Sequence, residues 1–276
     1  MLINESKFQT KGELFKFLVA NKASLIAQKK AENKNSDGFD FTGDYSGVFK
    51  KLDVNKANDN VENPSDILNV IAVINTTNLM DSHKDVHIPG IWSKTLAENK
   101  SIMHLQEHRL AFDKIISDGP NLKAYAKSYS WGELGFNYPG TTEALVFDSK
   151  ILKSRNPFMH DQYARGYVKQ HSVGMRYVKI VLCINSDESY YGAEKEAWDK
   201  YIEMVANKSD AEDSGYFWAV TEAKVMEGSA VPLGSNFATP TLENNKTEEP
   251  EKSTHENTEP ESSTQKVDYN YLINNF

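Results

Sequence analysis

The pattern of apolar and polar residues divides the chain into a helical start, a β-rich body and a polar tail. Thr10-Lys11-Gly12-Glu13 fits a capping box, in which the threonine hydroxyl and the glutamate carboxylate satisfy backbone amides at a helix start. Leucine and isoleucine then recur at helical spacing, which predicts an amphipathic helix within segment 1–38. Two interpretations of this segment stay open. The helix packs on its own domain, or it is an arm that docks on a partner.

From residue 39 onward the pattern changes to short runs rich in β-branched and aromatic residues, separated by turn formers. These runs predict strands at 67–77, 122–131, 142–148, 168–184 and 217–231. Helical spacing predicts helices at 91–99 and 192–207, the second as an insertion among the strands. The expected fold class is therefore α+β. Residues 39–242 should form a mostly antiparallel, barrel-like β core with flanking helices.

After residue 242 the chain becomes polar and acidic. Segment 243–276 carries eight acidic and three basic residues, so it holds most of the formal charge of −8. Its first part has no apolar residues to bury and cannot offset the entropy of ordering, so we expect a disordered tail. The last ten residues, VDYNYLINNF, regain apolar character and fit a docking peptide.

Composition limits the classes of protein to consider. The body lacks the basic, aromatic-rich patch of nucleic-acid-binding proteins. The sequence shows neither a secretory signal nor a run of about 20 apolar residues, which predicts a cytoplasmic protein that contacts no membrane. The single cysteine, Cys183, excludes a disulfide framework within one chain. Its apolar surroundings favour a small buried hydrophobic residue over a reactive thiol.

The histidines suggest three kinds of site. His104-Leu105-Gln106-Glu107-His108 matches the H-x-x-E-H pattern of inverted zincins, in which two histidines on one helix face bind zinc and the glutamate activates water. A second grouping, His83 and His87, lies in a turn-rich loop with two aspartates. This loop fits a metal site less well than an ordinary hydrogen-bonded loop.

The third grouping is His171-Ser172. Successive side chains of a strand point to opposite faces, so His171 cannot easily act as a base for Ser172. Any base must come from elsewhere in the chain. Gly174 lies on the same face as Ser172 and leaves room there for a substrate backbone to approach.

Four segments carry a family resemblance: TTNLMDSHKDVHIPGIW, IMHLQEHRL, QHSVGMRY and TEAKVMEGSAVPLGSNFATP. They resemble the caudoviral prohead (capsid-maturation) protease family, distant relatives of the herpesvirus maturational protease, assemblin. The matching positions, within about residues 67–240, are Asp81, Asp85, Pro89, Gly90, His108, Ser172, Gly174, Glu227, Ser229, Val231, Pro232 and Asn236. The chain departs from the family pattern in three places: FDKII replaces the usual Pro-Ile-Gly, Met175 replaces an aromatic residue, and the helix at 192–207 is inserted.

The resemblance implies a herpesvirus-protease-like fold and a serine endopeptidase without cofactor or metal. It assigns Ser172 as nucleophile and His108 as general base. The herpesvirus relatives use a second histidine to stabilise the charged imidazole, and a carboxylate would serve the same purpose. Our candidate for that role is Glu227, ahead of Glu222. The enzyme would act in the host cytoplasm, inside the procapsid. It would cut scaffolding protein or the scaffolding segment of the major capsid protein, and its own tail between Leu242 and Lys266. Self-association is a further expectation.

Two alternatives stay open beside this assignment. One is a zinc peptidase that uses His104, Glu107 and His108. The other is a catalytically inactive capsid-assembly or scaffolding protein that keeps the fold.

Overall fold

The computed structural model describes residues 3–31, 64–99 and 101–246. Within these ranges the chain forms six α-helices and nine β-strands, so the α+β class is confirmed. The predicted disordered stretch beyond residue 246 and the apolar end VDYNYLINNF lie outside the described residues. In the described ranges no helix is long and apolar enough to cross a membrane.

The described strands form two sheets. The first has four antiparallel strands in the order β5-β6-β1-β9. Its strands are β1 (Ile67–Thr76), β5 (Leu122–Ser130), β6 (Thr141–Leu152) and β9 (Thr241–Lys246). The last of these continues past residue 242, where the sequence pattern placed the start of the tail, because it pairs with β1.

The second sheet has five strands around the long β8 (Tyr216–Val231). One edge of β8 pairs antiparallel with β7 (Gln170–Ile184), and the other edge pairs parallel with β2 (Asp85–His87) and β3 (Met103–Gln106). Strand β4 (Ile115–Ser117) pairs antiparallel with β3. In the described part of the chain the sheets do not close, so the expectation of a barrel-like core is wrong on this point.

The two sheets pack face to face over one large hydrophobic core, and Gly228 of β8 packs against the opposite sheet. A methyl group added to Gly228 would lie 2.6 Å from Phe147 and 2.7 Å from Ile74, both on the opposite sheet. Side chains alternate along a strand. Glu227 and Ser229, the neighbours of Gly228, therefore face away from the core.

The helices are α1 (Lys11–Ala20), α2 (Lys22–Ala31), α3 (Ser93–Glu98), α4 (Pro157–Ala164), α5 (Gly192–Tyr201) and α6 (Lys208–Ser214). The insertion predicted at 192–207 contains α5 and a 3₁₀ turn at Ile202–Met204, and it ends directly before α6. Thr10 caps α1 as predicted, because its Oγ1 accepts the Glu13 amide at 3.2 Å. The Glu13 carboxylate accepts the amide of Gln9 at 2.8 Å instead of that of Thr10.

The two N-terminal helices pack on the body of the protein. Leu14, Phe15 and Leu18 belong to the main core, and Lys22 pairs with Glu194 of α5 at 2.6 Å. Of the two interpretations of this segment, the described residues show packing on its own domain.

Candidate active site

His108 lies in a tight turn that follows β3. Both Glu107 and His108 have positive φ angles, 53° and 56°, which non-glycine residues adopt at a cost of about 1–3 kcal/mol each. Backbone hydrogen bonds hold the turn, from Glu107 N to Ala230 O and from Arg109 N to Gln106 O, both 3.0 Å. The His108 amide donates to Ser229 Oγ, also at 3.0 Å. The strained turn therefore fixes His108 against β8.

A carboxylate orients the His108 ring. His108 Nδ1 lies 2.6 Å from Glu227 Oε1, and both side chains are only 10% and 13% exposed. The other carboxylate oxygen of Glu227 accepts the Ser229 hydroxyl at 2.6 Å. A carboxylate beside Nδ1 requires a hydrogen on that nitrogen, so the neutral ring keeps its lone pair on Nε2. The ring is thus held in the tautomer that a general base needs.

The basic nitrogen of His108 is available for chemistry. Nε2 is buried and has no hydrogen-bond partner among the residues that the structure describes. Buried ring nitrogens are normally paired, so an unpaired one needs an explanation. A substrate or a nucleophile that approaches it would supply the missing partner.

Ser172 shares the outer face of the sheet with this pair. It lies opposite Ser229 in the β7–β8 register, and partners in register point to the same face. Ser229 therefore lies between Ser172 and His108. It is the cross-strand neighbour of Ser172, and its hydroxyl oxygen accepts a hydrogen bond from the His108 amide. Within the described residues no hydrogen bond joins Ser172 to His108 Nε2. Catalytic hydrogen bonds are often long before substrate binds and tighten in the complex.

Gly174 makes the position of Glu227 possible. A methyl group added to Gly174 would lie 1.9 Å from Glu227 Oε1 and 2.7 Å from its carboxyl carbon. The expectation that Gly174 leaves room for a substrate backbone is wrong, because the Glu227 side chain fills that space. Glycine is needed here so that the Glu227 carboxylate can lie over β7 while it binds the imidazole.

Glu222, the second candidate for the third catalytic group, has other partners. Its carboxylate lies 2.5 Å from Lys179 Nζ and 3.7 Å from Lys94 Nζ. The hydrogen bond from Lys179 lowers the pKa of the Glu222 carboxyl below its usual range. The structure therefore pairs His108 with Glu227 and not with Glu222.

The structure does not bring the proposed zinc ligands together. The H-x-x-E-H segment is a strand followed by a turn instead of a helix, and Glu107 is exposed. His104 faces the inner side, with Nδ1 2.9 Å from Ser149 Oγ and Nε2 3.1 Å from the Tyr163 hydroxyl. No group of three or more metal-binding side chains occurs in the described ranges. The geometry gives the zinc-peptidase alternative no support.

His171, next to the candidate nucleophile, also faces inward. Its Nδ1 lies 3.0 Å from Thr239 O, and its Nε2 lies 2.9 Å from the Tyr163 hydroxyl. His171 and Ser172 therefore point to opposite faces of the strand, as strand alternation predicts. His171 is part of a hydrogen-bonded chain that runs through Tyr163 to His104.

One proton assignment satisfies every member of this buried chain. A carbonyl only accepts, so His171 Nδ1 donates to Thr239 and its Nε2 accepts the Tyr163 hydroxyl proton. The Tyr163 oxygen then accepts from His104 Nε2, and His104 Nδ1 accepts from Ser149. Both imidazoles are neutral in this assignment. Burial lowers the pKa of His171 to about 4 and that of His104 well below its usual value, which agrees with neutrality.

The aspartate-rich loop is a hydrogen-bonded loop. Asp81 Oδ1 accepts the amides of His83 and Asp85 at 2.8 and 3.0 Å. Asp85 is buried, pairs with Lys29 of α2 and accepts the Tyr177 hydroxyl at 2.9 Å. These residues connect α2 to the sheet and lie apart from the His108–Glu227 pair.

Two further positions of the family pattern also serve the fold. Asn236 Nδ2 donates to Asn75 Oδ1 at 2.9 Å and to Thr76 O at 3.1 Å, which ties the segment after β8 to β1. Gly90 has a φ of +87°, and its amide donates to Glu143 Oε1 at 2.7 Å.

Cys183 is fully buried in a satellite core beside Trp198 and Phe217. Burial raises the pKa of its thiol to about 12, so the reactive thiolate is not populated at neutral pH. The prediction of a small buried hydrophobic residue is confirmed.

Ser229 also belongs to the site, although the sequence pattern assigned no role to it. It bonds both the His108 amide and the Glu227 carboxylate. The signal was the Glu-x-Ser spacing, because residues two apart on a strand share a face.

Comparisons of this chain with protein-family models, curated proteins and solved structures find no match. The functional assignment therefore depends on the geometry of the site and on the residue pattern.

Proposed function

We propose that this protein is a serine endopeptidase of the capsid-maturation type, with Ser172 as nucleophile, His108 as general base and Glu227 as its carboxylate partner. The observation that carries the proposal is the 2.6 Å His108–Glu227 pair, whose buried Nε2 lacks a partner within the described residues. That nitrogen lies on the sheet face that also carries Ser172. A nucleophile, a base and a group that orients the base are the three parts that this chemistry needs.

The reaction is acyl transfer in two steps. His108 Nε2 takes the hydroxyl proton of Ser172 as Oγ bonds to the scissile carbonyl carbon, and the same proton then passes to the leaving amine as the C–N bond breaks. Water repeats the sequence on the acyl-enzyme and releases the acid, which restores Ser172. Glu227 holds the ring and offsets its positive charge in both steps.

The fixed Glu227 carboxylate accelerates the proposed reaction because it stabilises the positive charge that develops on the imidazole. Glu227 is held by Ser229 on one oxygen and by His108 on the other, so it needs no reorganisation when the imidazole becomes charged. Glu107 and His108, the two residues with positive φ, orient the His108 side chain. Backbone strain of this kind is common at functional sites.

The biological setting of the proposal comes from the resemblance to prohead proteases. The substrates would be scaffolding protein or the scaffolding segment of the major capsid protein, cut inside the procapsid in the bacterial host. The resemblance also implies a herpesvirus-protease-like core for this chain.

Proteolysis by purified protein tests the proposal. Wild type should cleave an unfolded protein substrate in the presence of a zinc chelator, whereas Ser172→Ala and His108→Ala should be inactive and fully folded. Chelator-sensitive cleavage would favour a metallopeptidase. Equal behaviour of wild type and Ser172→Ala in cleavage and in shell assembly would favour an inactive assembly protein.

A further inference from the structure

The loop that carries His108 also carries the two most exposed large apolar side chains of the described residues. Leu110 is 77% exposed and Phe112 is 87% exposed. Large apolar side chains that stay in water gain no burial energy on folding, and exposed apolar surface beside a polar site is a feature of ligand-binding surfaces.

Leu110 and Phe112 lie in an ordered loop. Hydrogen bonds fix it at three points: Arg109 N to Gln106 O, Ala111 N to Arg109 O, and Lys114 N to Ala111 O, at 3.0, 3.0 and 2.9 Å. The Asn156 side chain reaches across and donates to the Asp113 carbonyl at 3.3 Å. The loop therefore presents both apolar side chains on a defined backbone, which is what selective binding requires.

The position of the loop indicates which part of a substrate it would meet. It joins β3 to β4 at the end of the sheet where β7 begins, so it borders the site of Ser172 on the His108 side. In acyl transfer the general base must hand its proton to the leaving amine. In the proposed reaction the leaving nitrogen would lie beside His108 Nε2. The residues that follow the scissile bond would then lie on the side of the sheet that carries this loop.

We infer that Leu110 and Phe112 are specificity-determining residues that bind a large apolar or aromatic side chain just after the scissile bond. This inference rests on the proposed function, since it needs a scissile bond at Ser172. The occupant is an extended substrate peptide whose apolar side chain covers the two residues during binding. Alanine, serine or charged residues at that substrate position would leave them exposed.

Cleavage profiling tests the inference. A proteome-derived peptide library treated with wild type should yield products whose new N-terminal residues, or the residues directly after them, are enriched in large apolar types. On the best peptide, Leu110→Ser and Phe112→Ser should each raise KM about tenfold or more and change kcat less. The matched control is Tyr190→Ser, which removes another apolar side chain, 61% exposed, at the opposite end of β7.

The outcomes separate this inference from the proposed function. Ser172-dependent cleavage without apolar enrichment, or with unchanged KM in both variants, would overturn the inference and leave the peptidase intact. Loss of self-association in the two variants at unchanged KM would also overturn it and identify the loop as an interface. No Ser172-dependent cleavage of any peptide would overturn both.

Discussion

Gly174→Ala should separate the carboxylate from the imidazole without touching any of the three proposed catalytic residues. The added methyl group would lie 1.9 Å from Glu227 Oε1, whereas ordinary contacts begin near 3.4 Å. The carboxylate must therefore move by about 1.5 Å. Its 2.6 Å hydrogen bond to His108 Nδ1 cannot survive a displacement of that size unless the ring follows.

The expected effect is large on activity and small on stability. Loss of the carboxylate partner of a catalytic histidine costs serine proteases on the order of 10⁴-fold in kcat, so we expect at least about a 100-fold loss here. Alanine in place of glycine reduces the entropy of the unfolded chain, which offsets local strain and keeps the change in unfolding free energy within about 1 kcal/mol.

The assay is the second-order rate of covalent labelling by a fluorophosphonate, which reports nucleophile activation without a known substrate. Gly132→Ala is the matched control, because a methyl group added there meets no atom within 4 Å. Gly174→Ala combined with Glu227→Gln should label no more slowly than either single variant, since both remove the same interaction. A labelling rate of Gly174→Ala equal to that of wild type would contradict this prediction. So would a double variant whose loss of rate is the product of the two single losses.

Three further predictions concern charge, pH and the tail. Glu227→Gln should lower the labelling rate about 100-fold or more at unchanged stability. Glu222→Gln, which only loses its lysine partners, should label at the wild-type rate. If Glu227→Gln also labels at the wild-type rate, Glu227 has a structural role only. Because burial lowers the pKa of His171 from 6.5 to about 4, the unfolded chain binds a proton in this range and the folded chain does not. Protonation of His171 in the unfolded chain should therefore lower the unfolding free energy by about 3 kcal/mol as pH drops from 7 to 4. Urea titrations at several pH values should show a shallower fall of this free energy for His171→Asn than for wild type. An equal fall in both proteins would contradict the assignment of His171 as a buried neutral imidazole. Wild type should shorten itself after Lys246, where β9 ends, and Ser172→Ala should stay full length by intact mass; identical full-length masses would exclude self-processing.

The sequence predicted the central strands well because their apolar runs are long and intrinsically β-forming. The predicted runs at 67–77 and 217–231 match β1 and β8 to within one residue at each end. The short strands β2, β3 and β4 escaped prediction, since three or four residues carry too little pattern. Strand β9 has the polar sequence TLENNK and depends on backbone pairing with β1.

The candidate site was predictable where spacing on one strand decides which side chains share a face. This holds for Ser172 and His171, which point apart, and for Glu227 and Ser229, which point together. The turn at Glu107 and His108 could not be predicted. Glutamate does not favour a positive φ, and the turn is held by β8, more than 100 residues further along the chain.

Gly174 and His104 show the same limit of local reasoning. A glycine in a strand signals close approach, and the group that approaches is a carboxylate from the neighbouring strand instead of a substrate. The H-x-x-E-H pattern means a zinc site only on a helix, and here a strand turns His104 into the core. In both cases tertiary pairing decides the role of the residue.

The most direct test of the central claim is the site of fluorophosphonate attachment, found by peptide mapping of labelled protein. We expect one stoichiometric adduct on Ser172, absent in Ser172→Ala and formed at least about 100-fold more slowly in folded His108→Ala. An adduct on another serine, or labelling of Ser172 at the same rate with and without His108, would contradict it.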